Sequence, residues 1–344
     1  MNRFAWATAR TTAEAAAAAS ITVAEAMAAP TAAAGDSDAS VVKAGGVDLV
    51  DLMKENLLVP GMVVSLREVP GLDAIAEDNG GGLRIGAMAT LAALAAHGAV
   101  RQRYPALAEA AASAASPQLR NVATIGGNLL QRPRCWYFRA VEYLCLRKGG
   151  AHCFAHAGEN QYHAIFDNHP CAIVHPSTAA TVLVALGAMV ELTQYEGAVR
   201  RVRLEDFFVA PAKDVQREND LKPREILTSV QLPPVTAGTR MAHLKQGEKD
   251  SFDWPLADVA VVLDFGSDGR CASASIVLGA AAPVPYRAKA AEAALVGRRI
   301  EDDVARQAAH AALAGATPLA KNAYKLPLFE TLIRRAILAA IAQR

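Results

Sequence analysis

Four of the five cysteines in this 344-residue chain, Cys135, Cys145, Cys153 and Cys171, fall within 37 positions. The stretch that holds them, residues 131–171, mixes Arg, His, Gly, Cys and aromatic residues with no sustained period. A structureless segment of that length inside a compact domain is uncommon. A functional loop held by a bound cluster explains it better than a free linker. An odd cysteine count with this clustering also argues against a disulfide scaffold. In a reducing compartment, metal or iron–sulfur ligation is the better reading. Just upstream lies Thr124-Ile125-Gly126-Gly127-Asn128-Leu129, whose paired glycines suit a backbone that approaches a phosphate closely. The two features together suggest a flavin site beside a metal cluster, and so a protein that moves electrons.

The length fits two or three domains. Hydrophobic residues make up 52% of the chain, enough for a substantial core. The formal charge of +1 gives no electrostatic ground for nucleic-acid binding. No uninterrupted apolar run approaches the ~18 residues of a membrane span. The start, Met1-Asn2-Arg3-Phe4-Ala5-Trp6, lacks the pattern of a secretory signal.

Residues 13–27 read as one amphipathic helix, and 30–40 as a small-residue loop. A short buried strand over 41–44 then meets Gly45-Gly46, with a helix predicted over 48–55. Strands are expected at 62–66 and 83–87. Helices are expected at 91–97, capped by Thr90, and at 105–115, opened by Pro105. A helical pattern returns over 173–192. The basic run 200–203 reads as a solvated hairpin. Alternation at 226–232, 259–265 and 272–278 predicts antiparallel strands, and 288–296, 302–314 and 327–342 read as helices. Strands followed by helices suggest a separate α+β unit. The expected division is therefore residues 1–217, in two α/β subdomains carrying the cysteine loop, and residues 218–344.

Lys43-Ala44-Gly45-Gly46-Val47-Asp48-Leu49 is a strand feeding paired glycines and then a helix. Such a turn exposes backbone N–H groups at the positive end of a helix, where pyrophosphate is well placed. Taken alone, paired glycines before a helix are more often only a tight turn. The Thr124–Asn128 element, about 80 residues on, makes a shared ligand more plausible.

Together the two elements resemble the FAD-binding subunit of the molybdenum hydroxylases, the xanthine dehydrogenase and carbon monoxide dehydrogenase family. The resemblance covers nearly the whole chain and extends to His175-Pro176-Ser177 and to Lys245. It implies an α+β fold: a PCMH-like (vanillyl-alcohol-oxidase-type) FAD-binding domain, followed by a C-terminal α+β domain of the CO dehydrogenase flavoprotein type. It also implies that FAD is held by Lys43, Ala44, Gly45, Gly46, Val47, Asp48, Leu49, Thr124, Gly126, Gly127, Asn128, Ser177, Thr178 and Lys245. Two positions depart from the family pattern. Val47 replaces a polar residue after Gly-Gly, and Thr178 stands where an Asp is common. Both changes are expected to loosen FAD rather than abolish its site.

Within the family, residues 121–139 resemble the FAD subunit of bacterial periplasmic aldehyde oxidoreductases. That resemblance implies a 4Fe–4S cluster in the inserted loop, with Cys135, Cys145, Cys153 and Cys171 as ligands. Four thiolates are the usual set for a cubane. Arg132, Arg134, Arg147 and Lys148 are nearby cations to offset its charge. Four cysteines also suit structural zinc, with His152, His156 and His163 close by, and free buried thiols are a further reading. Cys271, on an alternating strand, reads as a small core residue. Asp253 and Trp254 read as sheet packing, slightly ahead of a place near the flavin.

These readings give an oxidoreductase subunit with no catalytic residue assigned in this chain. The implied partners are a large subunit with the molybdenum cofactor and a small subunit with 2Fe–2S clusters, in a heterotrimer or its multimer. Electrons would pass through FAD to an external acceptor. No nucleic acid or membrane contact is expected. The expected compartment is cytoplasmic, or periplasmic if the chain is exported folded with a signal-bearing partner. The other readings are a structural assembly subunit with zinc and a degenerate flavin pocket, and a stand-alone FAD oxidase.

Overall fold

A computed structural model describes residues 1–28, 39–249 and 252–342. Most of the expected 30–40 loop lies outside these residues. Three sheets organise the described chain. The first is parallel and three-stranded, with Met62–Ser65 between Ala5–Thr8 and Ser40–Lys43. Val41 and Val63 are buried against Leu49, Leu52 and Met53, which lie on one face of helix Val47–Lys54. Burial of this kind holds an eight-residue helix that would be marginal alone in water.

The second sheet is antiparallel, in the order Ile75–Glu77, Leu83–Gly86, Glu225–Leu232, Met189–Gln194, Val199–Arg203. The last two strands form the hairpin expected around the basic run. Helices Leu91–Ala96, Pro105–Ser113 and Thr178–Ala185 share its main core. The third sheet is also antiparallel, in the order Tyr286–Arg287, Cys271–Gly279, Ala257–Phe265, Thr239–Gln246. Lys289–Leu295, Asp302–Ala312 and Lys325–Ala342 bury their apolar faces in its core, which also takes Cys271. Helix Thr178–Ala185 is buried along its whole length because it is wedged between helix Pro105–Ser113 and the third sheet.

The structure corrects three expectations. Residues 13–27 form two helices, Thr12–Ala18 and Val23–Ala28. The second starts inside the alanine-rich run because Thr22 and Glu25 make a reciprocal capping box: Glu25 N–H donates to Thr22 Oγ1 at 3.2 Å and Thr22 N–H to Glu25 Oε2 at 2.9 Å. The pattern over 173–192 is helical only for Thr178–Ala185, and Met189–Gln194 is strand. Finally, Glu225–Leu232 pairs with Leu83–Gly86 and Met189–Gln194. It is the central strand of the second sheet, so a boundary at 217/218 would cut that sheet. Its Ile226 and its Val230 serve two different cores.

The cysteine loop is fastened on two sides. Toward the C-terminal unit, buried Asn322 donates to the carbonyls of His163 and Ala164 at 3.0 and 3.1 Å. Buried Lys325 donates to the carbonyls of His163 at 3.1 Å and Ala280 at 2.7 Å. Burial draws its amine down to about 7. Lys325→Met should leave the buried Ala280 carbonyl without its donor, while His163 O keeps Asn322, and cost about 2 kcal/mol. A thermal melt should show the loss, and an unchanged Tm would dismiss the clamp. Toward the first sheet, Arg134 and Arg139 both pair with Asp48 and Asp51 at 2.7–3.1 Å.

Candidate FAD cleft and cysteine cavity

The two glycine elements meet face to face. A Cβ on Gly45 would collide with the backbone carbonyl of Val122, and one on Gly126 would sit 2.9 Å from Ala87 O. Neither position accepts a larger side chain without pushing the backbones apart. Gly46 adopts φ 86° at the N-cap of Val47–Lys54 and brings no capping side chain. The first N–H groups of that helix are therefore left for another acceptor. Thr124 caps the second element, its Oγ1 accepting from Gly127 N–H at 3.2 Å.

Between the elements lies a cleft of about 570 Å³, within the usual range for ligand sites of ~300–1,000 Å³. Ala44, Gly45, Gly46, Val47, Asp48 and Leu49 line it from one side, and Thr124, Gly126, Gly127 and Asn128 from the other. Thr178 and Lys245 complete the set from other elements. Val47 contributes no polar side chain, so the donors of the first element are backbone N–H groups. Asp48 is committed as a strut: its Oδ2 accepts from Arg132 N–H at 2.8 Å and its Oδ1 from Arg139 Nη2 at 2.7 Å. Lys245 donates to Ser113 O at 2.9 Å, and burial lowers its amine from the ordinary range. Thr178 is buried and its hydroxyl faces Ala110 O at 3.4 Å.

Two of the expected residues stand outside the cleft wall. Lys43 turns toward Trp6 and its Nζ donates to Ala44 O at 3.3 Å. Ser177 acts from behind. Its hydroxyl donates to Asn128 Oδ1 at 2.5 Å and accepts from Ala180 N–H at 2.9 Å, fixing Asn128 and capping Thr178–Ala185 together. Ser177→Ala should cost about 1 kcal/mol of cap and weaken FAD binding about fivefold. Titration of apoprotein with FAD measures this, and an unaltered Kd would remove Ser177 from the site. His175 is buried, which pulls its imidazole down to about 4 and keeps it neutral; Ser177 N–H donates to its Nδ1 at 3.3 Å. This is a packing role.

Asp253 and Trp254 do not pack in the sheet. Both line the cleft, with Trp254 under the Arg134 guanidinium at 4.8 Å. Glu218 and Arg132 also face the cleft, although Glu218 carries no sequence signal beyond its charge.

The four cysteines Cys135, Cys145, Cys153 and Cys171 line one further cavity, shared with Arg147 and His163. Among the described residues, no three His, Cys, Asp or Glu side chains are placed to hold a metal ion. His163 Nε2 lies 3.2 Å from Cys135 Sγ. Burial pushes the Cys135 thiol up to about 12. A hydrogen bond from Cys171 to Cys153 holds the Cys153 thiol down at about 6 and the Cys171 thiol above its ordinary value. Arg147 is 1% exposed, and its Nε and Nη2 meet no hydrogen-bond acceptor. A cavity with four sulfurs and an under-bonded guanidinium fits an anionic thiolate assembly.

The family model for the FAD binding domain in molybdopterin dehydrogenase matches residues 3–235. This chain belongs to the family of FAD-binding subunits of the molybdenum hydroxylases. The CO dehydrogenase flavoprotein C-terminal domain matches residues 242–340, so the division between the two falls after Glu225–Leu232, as the strand pairing requires. The aldehyde oxidoreductase FAD-binding subunit PaoB of Escherichia coli (strain K12) is 36% identical over 303 residues, covering 87% of this chain and 91% of that protein. The carbon monoxide dehydrogenase medium chain of Hydrogenophaga pseudoflava is 29% identical, covering 89% and 91%. The structure of reconstituted CO dehydrogenase from Oligotropha carboxidovorans superposes with a TM-score of 0.74 at 26% identity, covering 99% of each chain. The family is one of oxidoreductase subunits. Among the described residues, no helix is long and apolar enough to cross a membrane.

Proposed function

We propose that this chain is the FAD-carrying electron-transfer subunit of a molybdenum-containing aldehyde oxidoreductase. The observation that carries this reading is the convergence of both glycine elements with Thr178 and Lys245 on one cleft. FAD, when bound, accepts electrons delivered by partner iron–sulfur clusters and passes them to an external acceptor. This chain's own contribution is to hold and shield the cofactor. The glycine elements and the helix N-terminus at Val47 would receive the pyrophosphate, while Ser177 fixes Asn128 and Lys245 closes the far wall.

Cys135, Cys145, Cys153 and Cys171 would hold a 4Fe–4S cluster. Four sulfurs around one cavity, the His163 contact to Cys135 and the open N–H groups of Arg147 support this. Each ligand of a cubane binds a different iron, so the sulfurs need not close around one ion. The partners would be a large subunit with the molybdenum cofactor and a small subunit with two 2Fe–2S clusters. The compartment is the cytoplasm, or the periplasm if the chain is exported folded with a signal-bearing partner.

Anaerobic addition of an aldehyde tests the reading. Flavin absorbance should bleach in the assembled complex and stay unchanged in the isolated chain. Bleaching in the isolated chain would make it a stand-alone oxidase.

A further inference from the structure

We infer that Arg147, Glu218 and Arg132 form a buried ionic bridge shared by the cysteine cavity and the FAD cleft, through which charge at one redox site biases the potential of the other. This inference rests on the cluster reading above. Arg147 lines the cysteine cavity, whereas Glu218 and Arg132 line the FAD cleft. The side chains of the three are 1%, 5% and 2% exposed. Glu218 Oε1 accepts from Arg147 Nη1 at 2.5 Å and from Arg132 Nη2 at 2.9 Å and Nε at 3.2 Å. One carboxylate thus joins two guanidinium groups across the wall between the sites.

The charges do not balance. Two guanidinium groups share one carboxylate, so one positive charge is left without a counter-ion inside this bridge. The neighbours add little: Asp48 acts weakly on Arg132, but it and Asp51 are engaged by Arg134 and Arg139, and His175 is neutral. Burial alone would push the Glu218 carboxyl up, but the charges of Arg132 and Arg147 outweigh it and hold it ionised. The excess charge sits on the cysteine side, where Arg147 lies in hydrogen-bonding reach of Cys171 and its Nε and Nη2 meet no nitrogen or oxygen acceptor. A buried, under-bonded guanidinium is tolerated where an anion completes it. A thiolate-bound cluster is such an anion, and reducing it by one electron makes it more negative.

The bridge therefore has opposed signs at Arg147 and Glu218. Arg147 favours cluster reduction, and Glu218 opposes it. In a medium of low dielectric both effects outlast the screening that surface charges suffer. Glu218 also faces the FAD cleft, so its negative charge disfavours flavin reduction too.

The test is redox potentiometry of the purified assembled complex, with the cluster followed by electron paramagnetic resonance and the flavin by visible absorbance. In Arg147→Gln the reduction equilibrium of the cluster should fall at least about tenfold, 59 mV for one electron, and Arg147→Lys should recover most of that loss. In Glu218→Gln both the cluster and the flavin should become easier to reduce. Opposite shifts from the two Gln variants are a result that packing damage would not give. Loss of iron from Arg147→Gln but not from Arg147→Lys would also support the bridge. Potentials unmoved in either Gln variant, shifts of the same sign, or iron lost from both Arg147 variants would overturn it. Unaltered complex without a cluster signal would refute the cluster reading itself, before any variant is made.

Discussion

Gly127→Val is expected to empty the FAD cleft while the fold stays assembled. The nearest atoms to a Cβ at this position are Thr124 Oγ1 at 3.1 Å and Ala44 Cβ at 3.8 Å. The first is the cap of the glycine's own short helix, and the second belongs to the opposite glycine element. A single methyl group would fit with a few tenths of an ångström of adjustment. The two γ-methyls of Val would instead fill the slot between the elements, where the cofactor must meet bare backbone. No buried backbone carbonyl is struck, in contrast to Gly45, where a Cβ runs into Val122 O. FAD affinity should therefore drop by more than about tenfold, at least ~1.4 kcal/mol, with little change in Tm of the apoprotein. Gly127→Ala should lie between. The flavin-to-protein ratio after gel filtration checks this, and full retention of FAD by Gly127→Val would move the cofactor elsewhere.

Cys145→Ser should remove iron and leave FAD in place. Cys145 is buried at the start of a short 3-10 turn, Leu146–Lys148, with its carbonyl taken by Lys148 and Gly150 N–H groups. Its backbone is thus fixed independently of any bound group, and Ser preserves the shape while replacing a thiolate with a hydroxyl that ligates iron poorly. Iron beyond that of the partner 2Fe–2S clusters should fall from about four per chain to nearly none. The FAD elements keep their own contacts, Gly45 against Val122 and Ser177 to Asn128, so flavin content should hold. Metal analysis of variant and unaltered complex decides the matter. Iron unchanged in Cys145→Ser would strike this residue from the ligand set.

The site was legible in the sequence where its parts are local. Thr90 as a cap, paired glycines at a strand end and Pro105 opening a helix each act over a few residues, and each lies in the structure as expected. What escaped depends on tertiary neighbours. Thr239–Gln246 was hidden because His243 is buried in mid-strand, its Nε2 2.5 Å from the equally buried Asp258 Oδ1. A polar pair inside a sheet breaks the apolar alternation that marks a strand. Glu225–Leu232 showed its period but not its sheet, since hydropathy says that a strand is buried and not which strands flank it. Glu218 precedes that strand with no motif around it. Its importance arises only once Arg132 and Arg147, 86 and 71 residues away, fold against it. Trp254 was misread because an aromatic next to a strand usually packs, whereas here it is 48% exposed at the mouth of the cleft.

The central claim is that one chain carries FAD and, beside it, a thiolate-bound cluster. An ultraviolet–visible spectrum of anaerobically purified protein, paired with iron and zinc analysis, tests it most directly. The account predicts flavin bands together with a broad cluster absorption, about four irons per chain beyond those of any 2Fe–2S partner, and no zinc. Flavin with zinc, or with no metal, would contradict the cluster. Neither flavin nor iron after reconstitution with FAD would contradict the electron-transfer role altogether.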